Sequence, residues 1–141
     1  MRLTTFTDFA LRALMRLAGE PQRVFATNEI AAEFGISRHH LAKVVRDLAD
    51  CGFIATQRGA GGGLSLARPP QSITLGEVVR ALEAGSALVE CFREDGGHCV
   101  LTARCGLRSR LAAAREAFMR ELDGTTLAEC AYPGRARRTP V

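Results

Sequence analysis

Hydrophobic side chains recur at helical spacing along most of this chain, and two short runs break the pattern. Phe6, Ala10, Ala13, Leu14 and Leu17 share one face of a first predicted helix. Thr5 opens it, Asp8 sits in its first turn in the manner of a capping box, and Gly19-Glu20-Pro21 ends it. A second helix begins at Thr27, turns Ile30, Ala31 and Phe34 inward, and stops at Gly35. Ser37 is a good N-cap for a third, with inner positions Leu41, Val44, Val45 and Leu48 and Gly52 at C′. Two helices joined by a tight Gly-containing turn predict a helix-turn-helix. Residues 53–57 and 64–67 read as short strands on either side of Arg58-Gly59-Ala60-Gly61-Gly62-Gly63, so a wing follows the helices.

Pro69-Pro70 separates this unit from the next. Thr74-Leu75-Gly76-Glu77 is a capping box opening a helix with Leu75, Val78, Val79 and Leu82 inward, and Gly85 is expected to end it. From Leu107 an apolar stripe runs through Leu111, Ala114, Phe118 and Leu122, a packing seam on a long helix. Arg108, Arg115, Glu116 and Arg120 occupy its opposite face, and Thr126 to Glu129 opens a final short helix. The predicted fold class is mainly α with a small β wing. A winged helix-turn-helix DNA-binding unit spans residues 1–70. A linker helix, a cysteine loop and a long C-terminal dimerisation helix span 71–132. A basic tail over 133–141, with Arg135, Arg137 and Arg138, is expected to be disordered.

Composition narrows the function classes. At 141 residues and 47% hydrophobic, the chain builds one core. It has no apolar run long enough to span a membrane, and its first residues lack the apolar region of a signal peptide, so a cytoplasmic protein is expected. Thiols stay reduced there, and five cysteines, an odd number, do not suggest a disulfide framework. A net charge of +4 is compatible with nucleic acid as a partner. With no Trp and one Tyr, a stacking platform for single strands is disfavoured. No Cys–His–Asn arrangement or polar substrate cluster points to an enzyme.

Two stretches carry chemistry. The outer face of the third helix presents Arg38, His39, Lys43 and Arg46 just after the turn, where a recognition helix meets base edges. In the wing, Arg58 is positioned to enter a groove, and Gly59 and Gly61 let backbone approach a phosphate. Thr27, Ser37 and His40, at the openings of the two helices, complete the expected DNA contacts. The second stretch runs from Cys91 to Cys105 and holds three thiols spaced C-x7-C-x5-C around Glu94, Asp95, Gly96 and Gly97. Soft thiolates in a loop suit an iron–sulfur cluster, zinc or copper(I). Three is one short of the usual four ligands, so the fourth comes from elsewhere in the chain, from a partner chain or from a small molecule. His98 adjoins Cys99 too closely to share a metal with it and reads as a neighbour of the site. Cys51 and Cys130 fall outside the pattern. Asp8, taken alone, needs no role beyond complementing the positive end of its helix.

The order of winged helix-turn-helix, linker helix, three-cysteine loop and long helix resembles the Rrf family of bacterial iron–sulfur transcription regulators. Met1-Arg2-Leu3-Thr4, the glycine-rich wing and the triad Cys91, Cys99 and Cys105 carry the resemblance, which extends to about Cys130. Within the family the chain looks most like the nitric-oxide-sensing repressors, through Thr7-Asp8-Phe9-Ala10-Leu11-Arg12-Ala13-Leu14, Ser37-Arg38-His39-His40-Leu41, Lys43 and Cys105-Gly106-Leu107. The resemblance implies a homodimer joined by the long helices and bound to palindromic operator DNA. It implies a cluster, [4Fe-4S] with [2Fe-2S] as alternative, held by the three cysteines and by Asp8 reached across the dimer. Nitric oxide would then release the operator and derepress detoxification genes. Arg108 stands where the family's iron–sulfur-assembly regulators carry a ligating histidine, which argues against that branch. Iron-responsive members share the C-x7-C-x5-C spacing and are the alternative, together with a zinc-stabilised regulator.

Overall fold

A computed structural model describes residues 2–135. The described residues form five α-helices and one small antiparallel sheet, joined by short 3-10 turns and loops: α1 (Thr5–Gly19), α2 (Thr27–Phe34), α3 (Arg38–Asp50), β1 (Ile54–Gln57), β2 (Gly63–Leu66), α4 (Leu75–Leu82) and α5 (Gly106–Asp123). The architecture is the mainly helical, winged fold that the periodicity predicts.

Helix ends follow local chemistry, with two corrections. The N-cap of α1 is Thr4, not Thr5: its hydroxyl accepts the Thr7 N–H at 3.2 Å. Asp8 is thereby moved beyond the capping position. The second correction is at α4, which stops at Leu82, before Gly85, because Glu83 turns out of the helix to bond elsewhere. Other ends agree with expectation. Gly35 is left-handed after α2, Ser37 caps α3, and Thr74 and Glu77 form the full capping box of α4. The expected final helix is a single 3-10 turn, Leu127–Cys130.

The core lies under α1. Ala10, Ala13, Leu14 and Leu17 meet Ile30, Leu41, Val44 and Leu48 from the two following helices. β1 and β2 pair from Ile54↔Leu66 to Gln57↔Gly63, and Phe25 adds a bridge to Leu64. Gly63 fits that corner because a side chain there would overlap the Phe25 carbonyl, and its φ is +155°. The later part of the chain enters the same core through Ile73, Val78 and Leu127. After α5 the chain returns beside the start of α4, where Leu127 N–H donates to Ile73 O at 2.8 Å. Tyr132 N–H then donates to Met15 O at 2.8 Å, and the Tyr132 ring meets Phe34. Of the expected basic tail, residues 136–141 lie outside the described residues.

The apolar stripe of α5 is not buried within one chain. Only Met119 is buried; Leu111, Phe118 and Leu122 are half-buried, while Ala114 is exposed and Leu107 is 64% exposed. Among the described residues no helix is long and apolar enough to cross a membrane.

Candidate metal loop and nucleic-acid interface

Between α4 and α5 the chain carries its three clustered cysteines on one ordered loop. Cys91 lies in a 3-10 turn, Glu90–Phe92; Cys99 follows the glycine pair; Cys105 is the N-cap of α5 and makes no side-chain cap. All three are free and half-buried. The first interval folds on itself: Arg93 N–H donates to Glu90 O, Gly96 N–H to Arg93 O, and His98 N–H to the Glu90 carboxylate at 2.8 Å. The second interval is set by Thr102, whose hydroxyl donates to Cys99 O at 3.0 Å. Cys105 lines a hollow of about 410 Å³ with Arg104 and Arg108. Two cations there would complement an anionic, thiolate-ligated centre. The chemistry of this donor set fits a thiophilic metal centre. Its geometry is a loop holding three thiols rather than an assembled site: among the described residues no three His, Cys, Asp or Glu side chains are grouped to hold a metal ion. Bringing all three together as thiolates, against their mutual repulsion, would take a cation as well, since metal binding and local ordering are coupled.

Asp8 lies on the exposed side of α1. Arg12, one turn on, donates to its carboxylate through Nε at 3.2 Å and Nη2 at 2.7 Å, both side chains being nearly half-exposed. Within one chain, then, Asp8 is an ion-pair partner rather than a helix cap. His98 is exposed and contributes its backbone, not its ring, to the loop. Cys51 is exposed at the end of α3, and Cys130 is half-buried in the last turn.

One contact of this region was not visible in the sequence. Glu83 accepts from Thr4 N–H at 2.8 Å, from the Thr4 hydroxyl at 2.7 Å and from the Thr7 hydroxyl, tying the start of α1 to the end of α4. Burial opposes ionisation of Glu83, but the Thr7 and Thr4 donors together hold its pKa below the usual carboxylate range.

A second group of cations lies on α3 and the wing. Arg38, His39, His40, Lys43 and Arg46 are all exposed on α3, and Arg58, Gly59 and Gly61 are exposed at the wing tip. Ser37 spends its hydroxyl as the acceptor for His40 N–H at 3.1 Å. A cleft of about 400 Å³ opens where α2, α3 and the wing meet, lined by Thr27, Asn28, Arg38, Gln57 and Gly59. Ala26, the N-cap of α2, supplies no side-chain acceptor, so the first amides of that helix border a cleft that also holds a guanidinium. This is the chemistry that seats a phosphate. Asn28 and Gln57 were missed by sequence reasoning; the uncapped start of α2 was the signal for Asn28. Lys43 leans on α1, its ammonium 5.9 Å from the centre of the Phe6 ring. Of the expected DNA contacts the cleft gathers Thr27, Arg38 and Gly59; Ser37, His39, His40, Lys43, Arg46, Arg58 and Gly61 lie outside it on exposed surface.

Known proteins resemble this chain over nearly its whole length. The Rrf2 family, described as iron-dependent transcriptional regulators, matches residues 3–132. The HTH-type transcriptional regulator NsrR of Geobacillus kaustophilus (strain HTA426) is 47% identical over 130 residues, covering 92% of this chain and 88% of that protein. Among solved structures, the oxidized form of Staphylococcus aureus CymR superposes with a TM-score of 0.73 at 27% identity, covering 93% of this chain and 96% of that one. A transcriptional regulator from Listeria innocua superposes with a TM-score of 0.75 at 26% identity, over 100% and 94% of the two chains. The relatives are regulators, not enzymes, and the winged reading head matches that role. A family match and a close relative that both run nearly end to end make the chain a member of the Rrf2 family of winged-helix transcriptional regulators.

Proposed function

We propose that this regulator is a homodimeric repressor that holds an iron–sulfur cluster, [4Fe-4S], and answers to nitric oxide. The observation that carries the reading is the loop: three free, half-buried thiols set before α5, with Arg104 and Arg108 beside the last of them. Cys91, Cys99 and Cys105 would hold the cluster, and Asp8 of the partner subunit would be the fourth ligand. When bound, the cluster supplies iron, with which nitric oxide reacts. The chain's residues do the rest. Arg12 competes for the Asp8 carboxylate, but an exposed helix pair is worth only about 0.5 kcal/mol, little against a metal–ligand bond. The unpartnered stripe of α5, with Leu107 exposed, supports pairing with a second copy.

The reading head is connected to this region through α1, which packs on α3 and carries Phe6 under Lys43. Shifting the balance between two orientations of α1 by about 3 kcal/mol would change operator affinity about a hundredfold. Two recognition helices of a dimer would read half-sites spaced about one turn of DNA, ~34 Å. In the α2–α3–wing cleft, Thr27, Arg38 and the first amides of α2 would take a phosphate, while His39, His40 and Lys43 face bases.

Anaerobic purification with iron and sulfide analysis, an absorption spectrum and operator binding before and after nitric oxide tests the whole reading. Iron and sulfide in the protein, with operator release by nitric oxide, are expected. A colourless protein containing zinc would overturn it. The family's description as iron-dependent favours one second reading, an iron-responsive regulator. In that case iron depletion would release the operator and nitric oxide would not.

A further inference from the structure

We infer that Glu90 is a positioning residue for the cysteine centre: its carboxylate closes the Cys91–Cys99 interval so that two thiols are presented together. The inference rests on the cluster reading and adds to it a residue outside the ligand set.

Seven residues separate the two thiols. Fully extended, such a segment spans about 27 Å, so closure has to be held by something. Apolar packing does not hold it, because residues 93–96 are all exposed. Polar ties do. The Glu90 carboxylate accepts the His98 N–H at 2.8 Å. Glu90 precedes Cys91 and His98 precedes Cys99, so this one bond joins the residues adjacent to the two thiols. Inside the loop, Asp95 accepts Gly97 N–H at 3.0 Å and pairs with Arg93 at 2.7 Å, which tightens the turn. Gly97 has φ +60°, and a Cβ there would lie 2.7 Å from Glu90 O. Glycine at 97 and a carboxylate at 90 therefore form one device. An acid beside a thiolate centre is electrostatically unfavourable unless it is engaged, and here a backbone donor engages it.

The test uses the full-length chain in two arms. In the first, the apo-protein carrying Cys51→Ala, Cys105→Ala and Cys130→Ala is equilibrated with glutathione redox buffer, and the effective concentration of Cys91 for Cys99 is read from disulfide formation. Adding Glu90→Ala is expected to lower it about tenfold, the scale of one hydrogen bond. Gly97→Ala should lower it at least as much. Glu90→Gln keeps an oxygen acceptor and should restore most of the value, which a general structural defect would not allow. In the second arm, the native-cysteine chain is reconstituted anaerobically and cluster loss to a chelator is followed by visible absorbance, with Glu90→Ala expected to lose it about tenfold faster. An effective concentration unchanged by Glu90→Ala overturns the inference, as does Glu90→Gln behaving like Glu90→Ala. If the native-cysteine protein takes up no iron or sulfide, the cluster reading fails, while the first arm still decides whether Glu90 closes the loop.

Discussion

Replacing Glu83 by alanine is a direct measure of how firmly the first helix is tied to α4. The substitution removes one oxygen that accepts from Thr4 N–H, the Thr4 hydroxyl and the Thr7 hydroxyl. Thr4 is exposed, so water replaces most of what its groups lose. Thr7 is 0% exposed, and its hydroxyl keeps only a 3.1 Å contact with Thr4. Leaving a buried donor poorly satisfied costs about 1–3 kcal/mol. At about 2 kcal/mol, the apo-protein should unfold about 6 °C lower at pH 7. The sign with pH follows from the depressed pKa. The folded chain holds Glu83 ionised below the carboxylate's ordinary value of 4.5, so the stabilisation is present above that value and is lost as pH falls through the folded-state pKa. Thermal unfolding of Glu83→Ala and the parent should therefore converge as pH is lowered from 4.5. Equal unfolding temperatures at pH 7 would refute the burial argument. A gap that persists undiminished in acid would refute the role of the charge.

Cys91→Ala, Cys99→Ala and Cys105→Ala should each abolish iron and sulfide binding while gel filtration still reports a dimer, whereas Cys51→Ala and Cys130→Ala should keep the colour. Arg58→Ala should weaken operator and random DNA alike and reduce the salt slope by about one unit if the wing grips phosphate; an unchanged slope in a titration against salt would exclude that contact. Arg38→Ala faces two roles, and a loss of affinity equal on every sequence would assign it to the phosphate cleft rather than to a base edge. Mixed dimers address Asp8. When one subunit carries Asp8→Ala and the other lacks the three cysteines, the surviving site should have a native spectrum and nitric-oxide response. The arrangement with both lesions in one subunit should behave like the Asp8→Ala homodimer, and a reversal of the two results would make the ligand intramolecular.

The helices were legible because their inner faces repeat cleanly: Leu41, Val44, Val45 and Leu48 could be nothing but one buried stripe. What escaped was chemistry between residues distant in sequence. Thr4 and Thr5 are equally good caps on paper, and the choice falls to Thr4, which also bonds Glu83, 79 residues away. That same bond ends α4 at Leu82, where Gly85 was the obvious stop. Nothing in the periodicity singles out Arg16, which is 5% exposed, stacked over Phe25 and paired with Glu20 and Glu33. In the cysteine loop the residue types were plain, but the tie from Glu90 to the His98 backbone leaves no mark in spacing. The stripe of α5 was legible, and the one residue of that helix buried within a single chain, Met119, lies just off it.

The return of the chain to α1 changes what can be cut or exchanged. Leu127 is 0% exposed and Tyr132 bonds the backbone of Met15, so the last turn closes the roof of the reading head. A fragment ending at the Pro69-Pro70 junction would lose Leu127 and the Tyr132 tie to Met15, and with them the cover that the last turn gives α1. Grafting this DNA specificity onto another sensory half is therefore a three-piece operation: residues from 126 to 132 have to travel with the N-terminal helices. Recombination at the proline pair alone would yield chimaeras that fail by unfolding before their regulation is ever tested.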